Sequence, residues 1–148
     1  MKIVINACHG GFSLSPESMI EYYKRKGRDC YFFTFRRKPG GDIDFSKFDS
    51  ASPKDVENRL IFSAFDVPNP NDFRDDDEWY GQHCLSQYEY DRTDTDLIDV
   101  VEKLGGDSSG RGGDLRVIEI PDGVEWTIEE YDGREWVAEK HRTWGAEK

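Results

Sequence analysis

The chain has no apolar run of about 18 residues, the length a transmembrane helix requires. Its opening, MKIVINA, lacks the charged, apolar and small-residue succession of a secretory signal. Cysteine is scarce. Cys8, Cys30 and Cys84 are odd in number and widely spaced, which argues against a disulfide framework. These absences lead to the expectation of a reduced, cytosolic protein without a membrane span. Positive charge is also in deficit: 20 Lys and Arg stand against 31 Asp and Glu, a net charge of −11. General nucleic-acid binding needs cationic surface to displace counterions, so nucleic acid is not an expected partner. What the chain does have is aromatic side chains. At 14% they are too many for a disordered polymer, and 148 residues suit one domain.

Charge is unevenly placed. Residues 1–41 carry eight basic side chains against three acids, whereas residues 66–99 carry eleven acids and only Arg74 and Arg92 as cations. Two such segments either form complementary solvated faces or offer a basic end to an anion and an acidic stretch to a partner protein.

The hydrophobic pattern predicts a single α+β domain. An N-terminal strand–loop–helix–strand is followed by a second helix and a C-terminal antiparallel sheet containing an Asp-Gly hairpin. Ile3, Val4 and Ile5 make residues 2–7 a buried strand. The loop CHGGFSLS follows. Ser15 as N-cap and Pro16 at the first helical position start a helix over 16–26, with Met19, Ile20 and Tyr23 as its apolar stripe. Gly27 ends it, and residues 30–36 return as a strand. If the two strands share a sheet, they form a right-handed parallel βαβ unit.

Residues 38–51 read as a loop, 53–60 as a short helix, 61–65 as a strand and 66–81 as an acidic exposed loop. Residues 82–90 have no clear pattern. Thr93-x-x-Asp96 resembles a capping box before the apolar repeat Leu97, Ile98, Val100, Val101, Leu104. Five glycines make 105–113 a mobile loop. A strand over 115–120 leads to two strands around Asp132-Gly133, the strongest short hairpin signal. That turn pairs Tyr131 with Arg134, Glu129 with Trp136 and Ile128 with Val137. Aromatics on both faces imply that both are partly covered. The tail, 140–148, is polar apart from Trp144 and Ala146. An aromatic there implies docking on the body or on a second copy, which makes a homo-oligomer an expected partner state.

The loop CHGGFSLS is the most informative candidate site. Gly10 and Gly11 let backbone approach a ligand, and a helix N-terminus presents N–H groups to an anion. Two glycines also make a tight turn with no ligand at all, and the spacing matches no established phosphate-binding fingerprint. Cys8, His9, His83 and Cys84 have zinc-ligand chemistry but lack the intervening spacing of zinc sites, so no metal is expected. A Cys8–His pair would suit nucleophilic catalysis, yet the surrounding residues resemble no nucleophile motif. No catalytic residue and no cofactor is assigned. Arg92, alone among Asp91, Asp94 and Asp96, is either an ion-pair hub or a phosphate clamp. Lys140, His141, Arg142 and Trp144 could neutralise and stack on a nucleotide.

The segments KIVIN-x-C-x-GGFSLS, DRTDTDLIDVVEKLG and LRVIEIPDGVEWTIEEYDGREWVAEKHRTW resemble a group of small hypothetical proteins encoded by tailed bacteriophages. The likeness runs through Ser15 and over nearly all of residues 91–144. It implies a phage accessory protein in the bacterial host cytosol. Such proteins often counter host defence, some by sequestering nucleotide signals and some by binding host proteins. The leading expectation is therefore a non-enzymatic protein that binds a small anionic, nucleotide-like ligand. His9, Gly10, Gly11, Phe12 and Ser13 would contact it, Arg92 and Arg142 would supply charge, and Trp144 would stack. The alternative is an inhibitor that offers its acidic stretch, 66–99, to a host protein as a nucleic-acid mimic. A small hydrolase is the third reading.

Overall fold

A computed structural model describes residues 1–37, 39–41, 43–47, 60–63, 77–83, 89–110, 112–141 and 144–145. It is an α+β fold of short helices and small antiparallel sheets. The elements run β1 (Lys2–Asn6), α1 (Pro16–Arg25), β2 (Tyr31–Arg37), β3 (Ile43–Lys47), β4 (Leu60–Ser63), α2 (Asp77–His83), α3 (Thr95–Leu104), a 3₁₀ turn (Gly105–Ser108), β5 (Leu115–Glu119), β6 (Trp126–Tyr131) and β7 (Arg134–Glu139).

Strand β1 lies at the centre, with Ile3, Val4, Ile5 and Asn6 all buried. It pairs antiparallel with β5, from Lys2 opposite Glu119 to Asn6 opposite Leu115. β1 and β2 do not share a sheet, so the parallel βαβ unit that depended on it is not formed. β2 instead centres a separate antiparallel sheet in the order β3-β2-β4. Non-local contacts decide the matter. The Met1 ammonium binds the Ile120 carbonyl at 2.9 Å and Asp122 at 2.7 Å, and the Ile120 amide returns a 2.9 Å bond to the Met1 carbonyl. β3 occupies part of the stretch read as a loop. The helix expected over 53–60 falls almost wholly outside the described residues.

Helix α1 starts as its cap predicts: the Ser15 hydroxyl accepts from the Ser18 amide at 3.1 Å, and Pro16 follows. Its inward face is Ser18, Met19 and Tyr22, while Ile20 is 43% exposed. Small serines at this face allow the close approach of the 105–110 segment. Helix α3 is capped by Asp94, which accepts from the Asp96 amide at 2.9 Å, and not by Thr93, whose hydroxyl bonds Asp91 instead. The two helices close over β1. Val4, Leu14, Met19, Tyr22, Leu97 and Val100 form the heart of the core, with Phe32 joining it from β2.

Helix α2 starts within the acidic segment read as a loop and runs two residues beyond it. Asp77 and Glu78 sit in its first turn, where carboxylates are favoured by the helix dipole, and Trp79 is buried. The glycine-rich 105–113 segment begins as a 3₁₀ turn with Ser108 fully buried, and it is hydrogen-bonded to residues 13–18.

An aromatic cluster links the helices: Tyr22 meets Tyr23 and Tyr90 edge to face, at 5.0 and 5.3 Å between centroids. The Tyr22 hydroxyl donates to Asp94 at 2.7 Å, and Lys26 reaches Asp94 at 3.0 Å and Asp96 at 2.8 Å. Burial alone would raise the Asp94 pKa, but the bonds from Tyr22, Lys26 and the Asp96 amide outweigh it and hold the carboxyl below its ordinary value. Burial pushes the Cys30 thiol up to about 12.

Two predictions follow from this packing. A Cβ on Gly10 would lie 1.5 Å from the Gly112 carbonyl oxygen, whereas Gly27, at φ +77°, faces open space. Gly10→Ala should cost about 3 kcal/mol in urea unfolding and Gly27→Ala only about 1 kcal/mol. Equal costs would show that the two loops do not touch. The second concerns pH. A depressed folded-state pKa contributes stability above the unfolded value and loses it as pH falls through the folded value. The stability gap between wild type and Asp94→Asn should therefore be full at neutral pH and narrow below about pH 4. A gap independent of pH would count against the Tyr22–Asp94–Lys26 arrangement.

Candidate functional site

The free edge of β1 organises the region that the sequence singles out. Its even residues turn their backbone groups away from β5. The Val4 amide donates to the Arg92 carbonyl at 2.9 Å, and the Arg92 guanidinium donates back to the Val4 carbonyl at 3.3 Å. The Asn6 amide donates to Glu135 Oε1 at 2.8 Å. Arg92 and Glu135 are themselves joined by two bonds, 2.7 and 3.0 Å, with side chains only 17% and 10% exposed. The Arg92 guanidinium carbon also lies 3.5 Å from the centre of the Phe12 ring. A residue expected to be an ion-pair hub or a phosphate clamp is thus an ion-pair hub, and its partner is a distant glutamate on β7 instead of the neighbouring aspartates.

Asn6 is the second organiser. It is fully buried, and its side chain donates to the Cys8 carbonyl at 2.7 Å and the Gly133 carbonyl at 2.8 Å. Its Oδ1 accepts from the Asp114 amide at 2.8 Å and faces the Cys8 thiol at 3.5 Å. Three turns meet around it. Gly10 abuts Gly112, and a Cβ on Gly133 would lie 2.6 Å from the His9 carbonyl oxygen and 2.8 Å from the Gly11 nitrogen. Gly10 therefore admits other backbone of the same chain, whereas Gly11, at φ +87°, has open space where a Cβ would stand.

The structure does bring His9, Gly10, Gly11, Phe12, Ser13 and Arg92 to one junction. His9 and Gly10 are exposed; Phe12 and Ser13 are buried. The Ser13 carbonyl accepts from the Gly110 amide at 2.9 Å. The start of α1 lies beneath the 107–110 segment: the Ser15 hydroxyl donates to the Asp107 carbonyl at 2.6 Å and the Ser18 hydroxyl to the Ser108 carbonyl at 2.8 Å. An anion reaching that helix end would have to displace this segment. Trp144 is 83% exposed; Arg142 lies outside the described residues. The Cys8 thiol donates to the Gly112 carbonyl at 2.9 Å, and neither of its oxygen partners is a general base. Among the described residues, no three His, Cys, Asp or Glu side chains cluster to hold a metal. An open depression of about 430 Å³ lies elsewhere, lined by Met1, Lys2, Thr93, Thr95, Ile98 and Asp99. Its lysine is already bound to Glu102 at 2.6 Å.

Sequence reasoning missed Asn6 and Glu135. Asn6 carried a usable signal, being the one polar residue at the end of the apolar run IVI. Glu135 carried none, because its partner is 43 residues away.

Breaking one side of a pair this enclosed strands the other charge. Arg92→Met and Glu135→Gln should each destabilise the fold by about 3 kcal/mol, and the double variant by clearly less than their sum. Additive losses in chemical denaturation would mean that the two side chains do not act as a unit. No family model matches this chain, and no curated protein or solved structure matches it either.

Proposed function

We propose that this chain is a non-enzymatic accessory protein of a tailed bacteriophage that acts in the host cytosol by binding a host protein through an acidic surface. The observation that carries the reading is where the charges go. Lys2, Arg25, Lys26, Arg92, Lys103 and Arg116 are each ion-paired to an acid of the same chain. The excess acid is left facing outward: Glu125, Glu129, Glu130, Asp132 and Glu139 are exposed on or beside the β6–β7 hairpin, against the exposed cations Arg134 and Lys140. A net acidic surface steers a partner of the opposite sign and disfavours like-charged ones. Of the acidic stretch 66–99, Asp77, Glu78, Asp91 and Asp99 are exposed, while Asp94 and Asp96 are held by Lys26; Asp75 and Asp76 lie outside the described residues.

A small anionic, nucleotide-like ligand is the second reading. It is favoured by the meeting of His9, Gly10, Gly11 and Arg92 at one junction. It is opposed by the bidentate commitment of Arg92 to Glu135, which leaves its charge neutralised.

Host protein retained by the immobilised chain at low salt should be released at about 0.5 M salt, where surface charges are screened. The purified partner should rebind with the same salt dependence. Retention insensitive to salt would contradict the acidic-surface reading. In parallel, a panel of nucleotides and cyclic dinucleotides tests the second reading. A ligand at 100 times its Kd adds about 2.7 kcal/mol of stability, a plain rise in melting temperature. Such a rise would move the assignment to the junction.

A further inference from the structure

We infer that the chain self-associates through the open edge of β6, two copies pairing antiparallel about Ile128 so that their hairpins form one continuous sheet. The inference goes beyond the reading above: its occupant is a second copy, and its contact is backbone. The hairpin register and the bond from the Lys140 amide to the Glu125 carbonyl at 2.8 Å fix which way each backbone group faces. In an antiparallel ladder, alternate residues turn their N–H and C=O to the partner strand. Glu125, Thr127, Glu129 and Tyr131 turn theirs to β7. Trp126, Ile128 and Glu130 turn theirs away from it. Among the described residues, no hydrogen bond reaches these outward amides and carbonyls, and the sheet ends at β6.

Other edges in the molecule are closed. Arg92 and Glu135 cover the second edge of β1, and the Ser109 hydroxyl takes the outward Leu115 amide of β5 at 2.7 Å. β6 has no such cover. Its sequence, WTIEEY, holds no proline, glycine or lysine to guard an edge, and its Trp, Thr, Ile and Tyr favour strands. The hairpin is also held in place before any pairing, with Gly133 wedged against His9 and Gly11 and its carbonyl bound by Asn6. Ordering costs on association are correspondingly small.

The side chains select both the occupant and the register. Two copies related by a two-fold axis can pair about Thr127, Ile128 or Glu129. About Thr127, Glu125 lies opposite the second copy's Glu129; about Glu129, that residue lies opposite itself. Like charges directly opposite are destabilising. About Ile128, no acid lies opposite an acid: Thr127 lies opposite Glu129, Trp126 opposite Glu130 and Glu125 opposite Tyr131. The Ile128 amides and carbonyls then bond each other, and those of Trp126 bond those of Glu130. On the inner face, Val137, Ile128 and their counterparts make one apolar row across the joined sheet. On the outer face, Glu125 comes to lie between its own Lys140 and the second copy's Tyr131, with Arg134 beyond. Sequence reasoning expected both hairpin faces to be partly covered, yet Tyr131 is 72% exposed in the single chain; this pairing covers it. The strand thus carries its own complement, as a two-fold interface requires.

The test uses the full chain at about 0.3 M salt, where repulsion between two acidic copies is screened. Sedimentation equilibrium should show monomer at about 5 µM and dimer at about 0.5 mM, because a strand edge is a small interface. Hydrogen exchange supplies the signature. The Trp126, Ile128 and Glu130 amides should exchange about tenfold more slowly in the concentrated sample, while Thr127, Glu129 and Tyr131, already bonded to β7, keep their rates. Ile128→Pro removes an outward N–H that β7 does not use, and should abolish the dimer while the dilute chain keeps its melting temperature. Should that variant fail to fold, charge at Thr127 decides: Thr127→Lys, opposite Glu129, should tighten the dimer about fivefold, and Thr127→Glu should loosen it about fivefold. A chain still monomeric at about 0.5 mM overturns the inference. So does a dimer whose three outward amides exchange as fast as in the dilute sample. Neither result bears on salt-sensitive capture of a host protein, so the acidic-surface reading stands or falls separately.

Discussion

Strand β1 has one edge covered by β5 and the other by a salt bridge. Backbone groups buried without partners are costly, so a central strand must have both edges satisfied. Among the described residues, no second strand runs along the other edge. Arg92 supplies a carbonyl to Val4 and a guanidinium N–H to its oxygen, and Glu135 supplies a carboxylate to Asn6. The bidentate contact between Arg92 and Glu135 makes the two act as one surrogate strand, and Phe12 lies against the cation. This arrangement ties three distant parts of the chain together: the start, the approach to α3 and the hairpin.

The glycines complete the fastening. Gly10, Gly112 and Gly133 sit where three turns press backbone on backbone around the buried Asn6. At Gly10 and Gly133 a side chain would collide with the neighbouring turn, so these residues are glycine for want of space. The result is a hairpin anchored at its turn and along its inner face, with its outer face left to solvent. Function on this account comes from a surface held stiff by the interior. The loop that looked most like a ligand cradle is part of what does the holding.

Local signals were legible where the physics is local. The Asp-Gly turn fixed the hairpin register to the residue, because two positive φ angles in succession suit few other sequences. Ser15-Pro16 marked the start of α1, and the apolar repeat located α3. What stayed hidden was long-range or chemically ambiguous. Nothing near β1 announces that its partner is β5, nor near Arg92 that its partner is Glu135. Helix α2 was masked by acids that read as loop, although acids in a first helical turn are favourable. The 105–113 glycines read as freedom, whereas the structure uses several of them for contact. The inner face of α1 runs through Ser18, Met19 and Tyr22 and leaves Ile20 outside, which the apolar pattern alone does not show.

Amide hydrogen exchange gives the most direct test of the claim that the Arg92–Glu135 pair seals β1 and holds the hairpin. In wild type the amides of Val4 and Asn6 should exchange nearly as slowly as those of Ile3 and Ile5. In Glu135→Gln, Val4, Asn6 and the β6–β7 amides should lose protection together, while Ile3 and Ile5, facing β5, keep theirs. If the hairpin and the even residues of β1 stayed as protected as in wild type, the pair would not be the constraint on which this structure depends.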